Sequence, residues 1–137
     1  MREILFRGKR KDNGEWIYGY YCVFNGMIHC IYTSYAETDC GDIYPDYYEV
    51  DPETVGQYTG HTDKNGVKIF EGDIVRYGDT IHEVVFEQRN GTAYFGLVYS
   101  ESETLPFGHY QDLRQIEVIG NIHDNPELLG GGPNVQM

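Results

Sequence analysis

The sequence predicts an all-β protein: an N-terminal bent sheet of hairpins, then a small SH3-like β-barrel, with minimal helix. Three observations carry that expectation. The 137 residues include 13 Tyr and 17 Gly, a composition suited to strands joined by tight turns. Asn-Gly steps stand at Asn13-Gly14, Asn25-Gly26, Asn65-Gly66 and Asn90-Gly91, and this dipeptide is a strong hairpin signal because both positions tolerate positive φ. No helical periodicity persists for three turns anywhere in the chain.

The elements follow in order. Residues 3–10 and 15–24 read as two strands around the Asp12-Asn13-Gly14 turn. In the second, Trp16, Tyr18, Tyr20, Cys22 and Phe24 fall on one face by period two. Asn25-Gly26 then returns the chain as a strand over 27–32. Residues 33–45 are polar, acidic and unpatterned, and read as a long excursion before a short strand at 46–50. Asp51-Pro52 marks a turn, since the residue before proline is pushed out of helical geometry. A boundary there gives an N-terminal β subdomain with an acidic loop over 1–51, a barrel subdomain over 52–129 and a flexible Gly-rich tail over 130–137. Within the second subdomain, strands are expected at 54–59, 74–77, 81–88, 92–98 and 113–119, with a polar loop at 100–111. Residues 126–129 read as one helical turn with Pro126 at its first position.

The chain resembles the YopX family, small proteins encoded by phages and prophages. The resemblance rests on Arg2-Glu3-Ile4 with Phe6-Arg7, on 55–60 (Val-Gly-Gln-Tyr-Thr-Gly), on Asp63-Lys64-Asn65-Gly66 and on 69–75 (Ile-Phe-Glu-Gly-Asp-Ile-Val). It closes with 117–129, Glu-Val-Ile-Gly-Asn-Ile-His-Asp-Asn-Pro-Glu-Leu-Leu. The blocks keep their order over nearly the whole chain; 32–51 carries no part of them. Where such proteins commonly show Leu before the Asp-Lys-Asn-Gly turn, this chain has His61-Thr62. The resemblance implies an all-β fold with an SH3-like barrel in the later part, and a life in a phage-infected or lysogenic cell. It implies no known activity, and no catalytic residue carries over from it; separately, no cofactor is expected.

Composition restricts function further. A formal net charge of -12 argues against a broad duplex-binding face, which needs Lys and Arg to neutralise phosphates. The charge is uneven. Arg2, Arg7, Lys9, Arg10 and Lys11 crowd the start, and no Lys or Arg recurs until Lys64. The acidic stretch over 37–53 reads either as a solvated loop that keeps the protein soluble or as a surface for a basic partner. The start of the chain lacks the pattern of a secretory signal, and no apolar run approaches the ~20 residues that span a bilayer. The expected location is therefore the cytoplasm of the bacterial host, away from membranes.

Residue by residue, the chemistry candidates favour structural readings. Cys22, Cys30 and Cys40 make an odd count and read as free thiols rather than a disulfide framework. His29-Cys30 point to opposite faces of a strand and do not share a metal easily. Carboxylates pair at Glu71/Asp73, Glu83/Glu87 and Glu101/Glu103, with Asp73 better explained as a turn acceptor of backbone N–H. Ser34, Ser100 and Ser102 lie near no nucleophile motif. His61, His82, His109 and His123 are scattered. The tyrosines remain. Tyr offers broad contact area with a polar tip and few rotors, so the expected interaction surface is Asp42, Tyr44, Asp46, Tyr47, Tyr48 and Glu49. The leading expectation is a non-enzymatic module that binds a host or phage protein. A nucleic-acid-linked role comes second, either through the basic start and Trp16 on single strands or through acidic mimicry. A hydrolase with an unrecognised carboxylate site comes third. Open sheet edges and surface Tyr also leave room for self-association.

Overall fold

A computed structural model describes residues 3–37, 41, 43–89, 91–100, 103–107 and 112–129. The tail at 130–137 lies outside them. The chain is all-β and antiparallel, and the helical elements among the described residues are short 3₁₀ turns. It divides into two compact units, Met1–Tyr58 and Thr59–Met137.

The first unit holds β1 (Phe6–Lys9), β2 (Trp16–Phe24), β3 (Ile28–Glu37) and β4 (Ile43–Glu49), and the start of β5 (Gly56–Thr62). β1 lies between β2 and β5, with Phe6 opposite Gly19 and Gln57. β2, β3 and β4 form a meander outward from it. The β2–β3 turn falls at Asn25-Gly26 as read, but the register pairs Phe24 with Ile28, so the connection is three residues, Asn25, Gly26 and Met27, rather than two. Asn25 and Gly26 have positive φ, 52° and 68°, and Met27 N donates to Phe24 O at 3.0 Å. That geometry matches the right-handed twist of the flanking strands.

The excursion expected at 33–45 is corrected. β3 runs on to Glu37 and β4 starts at Ile43, so this stretch is mostly a second hairpin. Its pattern is hidden by a bulge between Tyr32 and Ser34, which inserts Thr33 and breaks the period of two. The Thr33 hydroxyl donates to Asp46 O at 3.1 Å. Ile31 and Val50 are fully buried, and Gly8 leaves room for both. A 3₁₀ turn, Pro52–Thr54, follows Asp51, whose carboxylate accepts Glu53 N.

The second unit contains the end of β5, beside β6 (Lys68–Phe70), and a five-stranded sheet. That sheet is built from β7 (Asp73–Tyr77), β8 (Thr80–Arg89), β9 (Thr92–Ser100), β10 (Glu103–Pro106) and β11 (Ile116–Asn121), in the order β10-β9-β8-β7-β11. Ile69, Val75, Val84, Leu97 and Ile116 form its core, with Tyr77, Phe107 and Val118 packed against them. The described pairings leave β10 and β11 as open edges, so the barrel expected from strand rhythm is not closed by them.

Two sequence expectations change here. The loop at 100–111 contains β10, an edge strand that ends on Pro106 and is offset by a bulge between Glu103 and Thr104. Proline lacks the N–H a central strand would need, so an edge is where it fits. Residues 113–115 form a 3₁₀ turn rather than strand, and β11 begins at Ile116. The turn at Pro126–Leu129 is present as read.

Candidate interaction surface

The residues singled out in the acidic, Tyr-rich stretch lie on and beside β4. Strand alternation divides them. Tyr47 and Glu49 stand opposite Tyr32 and Cys30 on one face, and Asp46 and Tyr48 belong to the other. Tyr44 is opposite Ala36 in register. Asp42 lies outside the described residues.

On the first face, rings from three strands meet. Tyr47 sits 5.3 Å from Tyr32 and 6.2 Å from Phe24, and Phe24 and Tyr32 are 6.3 Å apart, centroid to centroid. Phe24 and Tyr32 meet edge to face and the other two pairs are tilted, all within the roughly 4.5–7 Å range over which aromatic pairs attract. Register adds Tyr20, opposite Tyr32, and Ile28, opposite Phe24. Much of this aromatic and aliphatic surface meets solvent: Tyr20 is 66% exposed, Tyr47 50% and Met27, at the turn, 75%. Phe24, Met27, Ile28 and Tyr32 were missed by sequence reasoning. The signal was present in the period-two face of β2 and the Asn-Gly turn, but the partner positions depend on the register with β4.

On the other face, Tyr48 is engaged. The Arg10 guanidinium lies over its ring at 4.1 Å, and its hydroxyl donates to the Asp46 carboxylate at 3.4 Å. That hydrogen bond, with the charge of Asp46, holds the Tyr48 phenol above its usual pKa. Arg10 also makes a double hydrogen bond to Asp12, at 2.9 and 2.6 Å, which raises the guanidinium and lowers the carboxyl. Lys11 reaches Glu49 at 3.4 Å. The basic start of the chain therefore lies against the acidic stretch and offsets part of its charge.

The remaining candidates take structural positions. Tyr21 and His29 are hydrogen-bonded and stacked, and burial pushes the Tyr21 phenol up. Cys22 and Cys30 are free thiols opposite each other; burial raises Cys30, and Glu49 adds to it. Cys40 lies outside the described residues. Among the described residues, no group of three or more His, Cys, Asp or Glu could hold a metal ion. Asp73 is buried and accepts Phe70 N at 2.7 Å, the turn role read for it. Burial pushes Glu83 up and the charge of Glu71 adds to this. His82 is buried between Thr80 Oγ1, 2.7 Å from Nε2, and Val98 O, 2.9 Å from Nδ1; burial lowers its pKa. His61 packs its ring on Phe107, while Glu101, Ser102 and His109 lie outside the described residues. No described helix is long and apolar enough to cross a membrane.

No curated protein matches the chain. The crystal structure of protein EF1440 from Enterococcus faecalis is similar, with 27% sequence identity and a TM-score of 0.63, over 94% of this chain and 99% of that one. The family model described as YopX protein matches residues 5–130. With nearly its whole length matched, and with the ordered blocks at 55–60, 63–66, 69–75 and 117–129 inside the match, the chain belongs to the YopX family.

Proposed function

We propose that this protein is a non-enzymatic interaction module of phage or prophage origin, acting in the cytoplasm of its bacterial host. It holds a partner protein on the aromatic face of β2, β3 and β4. The observation that carries this reading is the Phe24–Tyr32–Tyr47 cluster, extended by Tyr20, Met27 and Ile28 on an exposed hairpin. Aromatic residues and Met are enriched at the centres of protein interfaces. The chain's net charge of -12 favours a partner with a basic surface around an apolar anchor.

The second-unit sheet is read with it as an SH3-like barrel. A four-strand meander, β7 to β10, with β11 returning beside β7 after a 3₁₀ turn supports that reading. The single-strand nucleic-acid alternative loses its best stacking platform. Arg7 and Lys9 already lie over the Trp16 ring at 4.7 and 5.4 Å.

The test is affinity purification of the tagged full chain beside a Tyr20→Ala/Tyr47→Ala variant, each with and without nuclease, identified by mass spectrometry. The expected result is one dominant protein partner that survives nuclease and is lost from a variant of unchanged melting temperature. Equal recovery by the variant would move the interface off this face. Partners lost on nuclease treatment would put nucleic acid first.

A further inference from the structure

We propose that the second unit carries a binding site for a small oxyanion, a phosphate group, between β7, β11 and the turns beside them, with Glu117 as its built-in competitor. The chain has only 10 Lys and Arg and a net charge of -12, yet Lys64, Arg76 and Arg114 converge on one cavity of about 290 Å³. Gly78, Gln115 and Glu117 complete its lining.

The charges there are incompletely matched. Lys64 Nζ and Arg76 Nη1 reach the same oxygen of Glu117, Oε1, at 3.7 and 3.4 Å. Arg114 makes a double hydrogen bond to Asp112, at 3.0 and 3.1 Å, from a side chain that is 89% exposed. Asp63, next to Lys64, does not compete for these cations in the same way. It is buried, and its two oxygens accept three backbone N–H groups, from Asn65, Val67 and Val118. Two carboxylates, Glu117 and Asp112, thus face three cations, and one carboxylate oxygen serves two of them.

The cations stand on fixed backbone. Arg76 is the register partner of Glu117. Lys64 N donates to Ile116 O at 2.9 Å, and Arg114 N to Asp112 Oδ1 at 3.0 Å. This fixes where the three side chains start around the cavity, while their charged ends stay exposed and open to an incoming anion. The ion pairs they make now are exposed, and such pairs contribute little. A doubly charged phosphate can therefore displace Glu117 from Lys64 and Arg76, with the Gln115 amide as a neutral donor. The cavity is at the low end of small-molecule site volumes, so it suits a phosphate group more than a whole nucleotide. Guanidinium matches its oxygens in paired hydrogen bonds.

The experiment is a titration of the full chain with inorganic phosphate at constant ionic strength, followed by amide NMR shifts, with chloride as control. Saturable shifts confined to Lys64, Arg76, Gly78, Gln115 and Glu117 are expected. Arg76→Gln should weaken binding by roughly tenfold. Glu117→Gln should tighten it by roughly fivefold, the scale of one exposed ion pair. These opposite signs cannot both come from a damaged fold. Shifts that do not saturate, that chloride reproduces, or that neither variant changes would overturn the proposal.

Discussion

At the scale of single residues, the fold depends on side chains that are small, or buried with all their partners. Gly19 on β2 has no room for a methyl group: a Cβ there would stand 1.8 Å from Tyr32 O. Gly19→Ala must push β2 away from β3, and we expect a loss of about 3 kcal/mol or more, read as a lower urea midpoint. His82 acts through protonation. Burial lowers its folded pKa below the ordinary 6.5, so the unfolded chain takes up a proton that the folded one resists. The sign follows: His82 adds no penalty above that value, and stability falls as pH drops through 6.5 toward the folded pKa. Urea midpoints measured at about pH 7 and about pH 5 should show this loss, and His82→Gln should remove that part of it. Neither role was legible in the sequence. The sequence marks Gly19 as a gap in the face of β2, but the close approach of Tyr32 O requires the strand pairing.

At the scale of elements, the Asp63-Lys64-Asn65-Gly66 turn does more than reverse the chain. Asp63 Oδ1 accepts Asn65 N at 2.8 Å and Val67 N at 2.9 Å, while Oδ2 accepts Val118 N at 2.9 Å on β11. One buried carboxylate thus closes a local turn and ties it to a strand 55 residues away. Asp63→Asn keeps one acceptor oxygen but sets an NH₂ group against an N–H. We expect it to cost about 2 kcal/mol or more, as hydrogen bonds to charged groups are lost in a buried place, and Asp63→Ala to cost more; thermal melts check both. The turn itself was readable from four residues. The tether was not, because it needs the position of β11. The β3–β4 hairpin and β10 were unreadable for a related reason. In each an edge strand, β4 or β10, pairs across a bulge, and a bulge shifts side chains off the period that sequence patterns depend on.

At the scale of the whole molecule, the surplus of acid is the dominant property. With a net charge of -12, like charges repel throughout the folded chain. Its ion pairs, such as Lys11–Glu49 and Lys64–Glu117, are exposed and contribute little in return. Raising NaCl from roughly 20 mM to roughly 300 mM should therefore raise the melting temperature by a few degrees, as screening weakens repulsion more than attraction. A fall in melting temperature would show that local pairs such as Arg10–Asp12 outweigh the net charge.

The amino-acid sequence by itself determined the all-β class, the Asn25-Gly26 hairpin, the turn at Asp63, the capping role of Asp73 and the family. Each is written in a few adjacent residues, because turn geometry and strand alternation are local properties of the backbone. Tertiary structure alone decided the rest. The acidic, Tyr-rich stretch splits across two faces of β4, since alternation sends neighbours in opposite directions. Tyr47 gains Phe24 and Tyr32 as neighbours through register across three strands. Lys64, Arg76 and Arg114 meet although 50 residues separate the first from the last, because β7 and β11 pair only once the sheet has formed. Contacts between distant segments follow from register, and register is a property of the folded sheet.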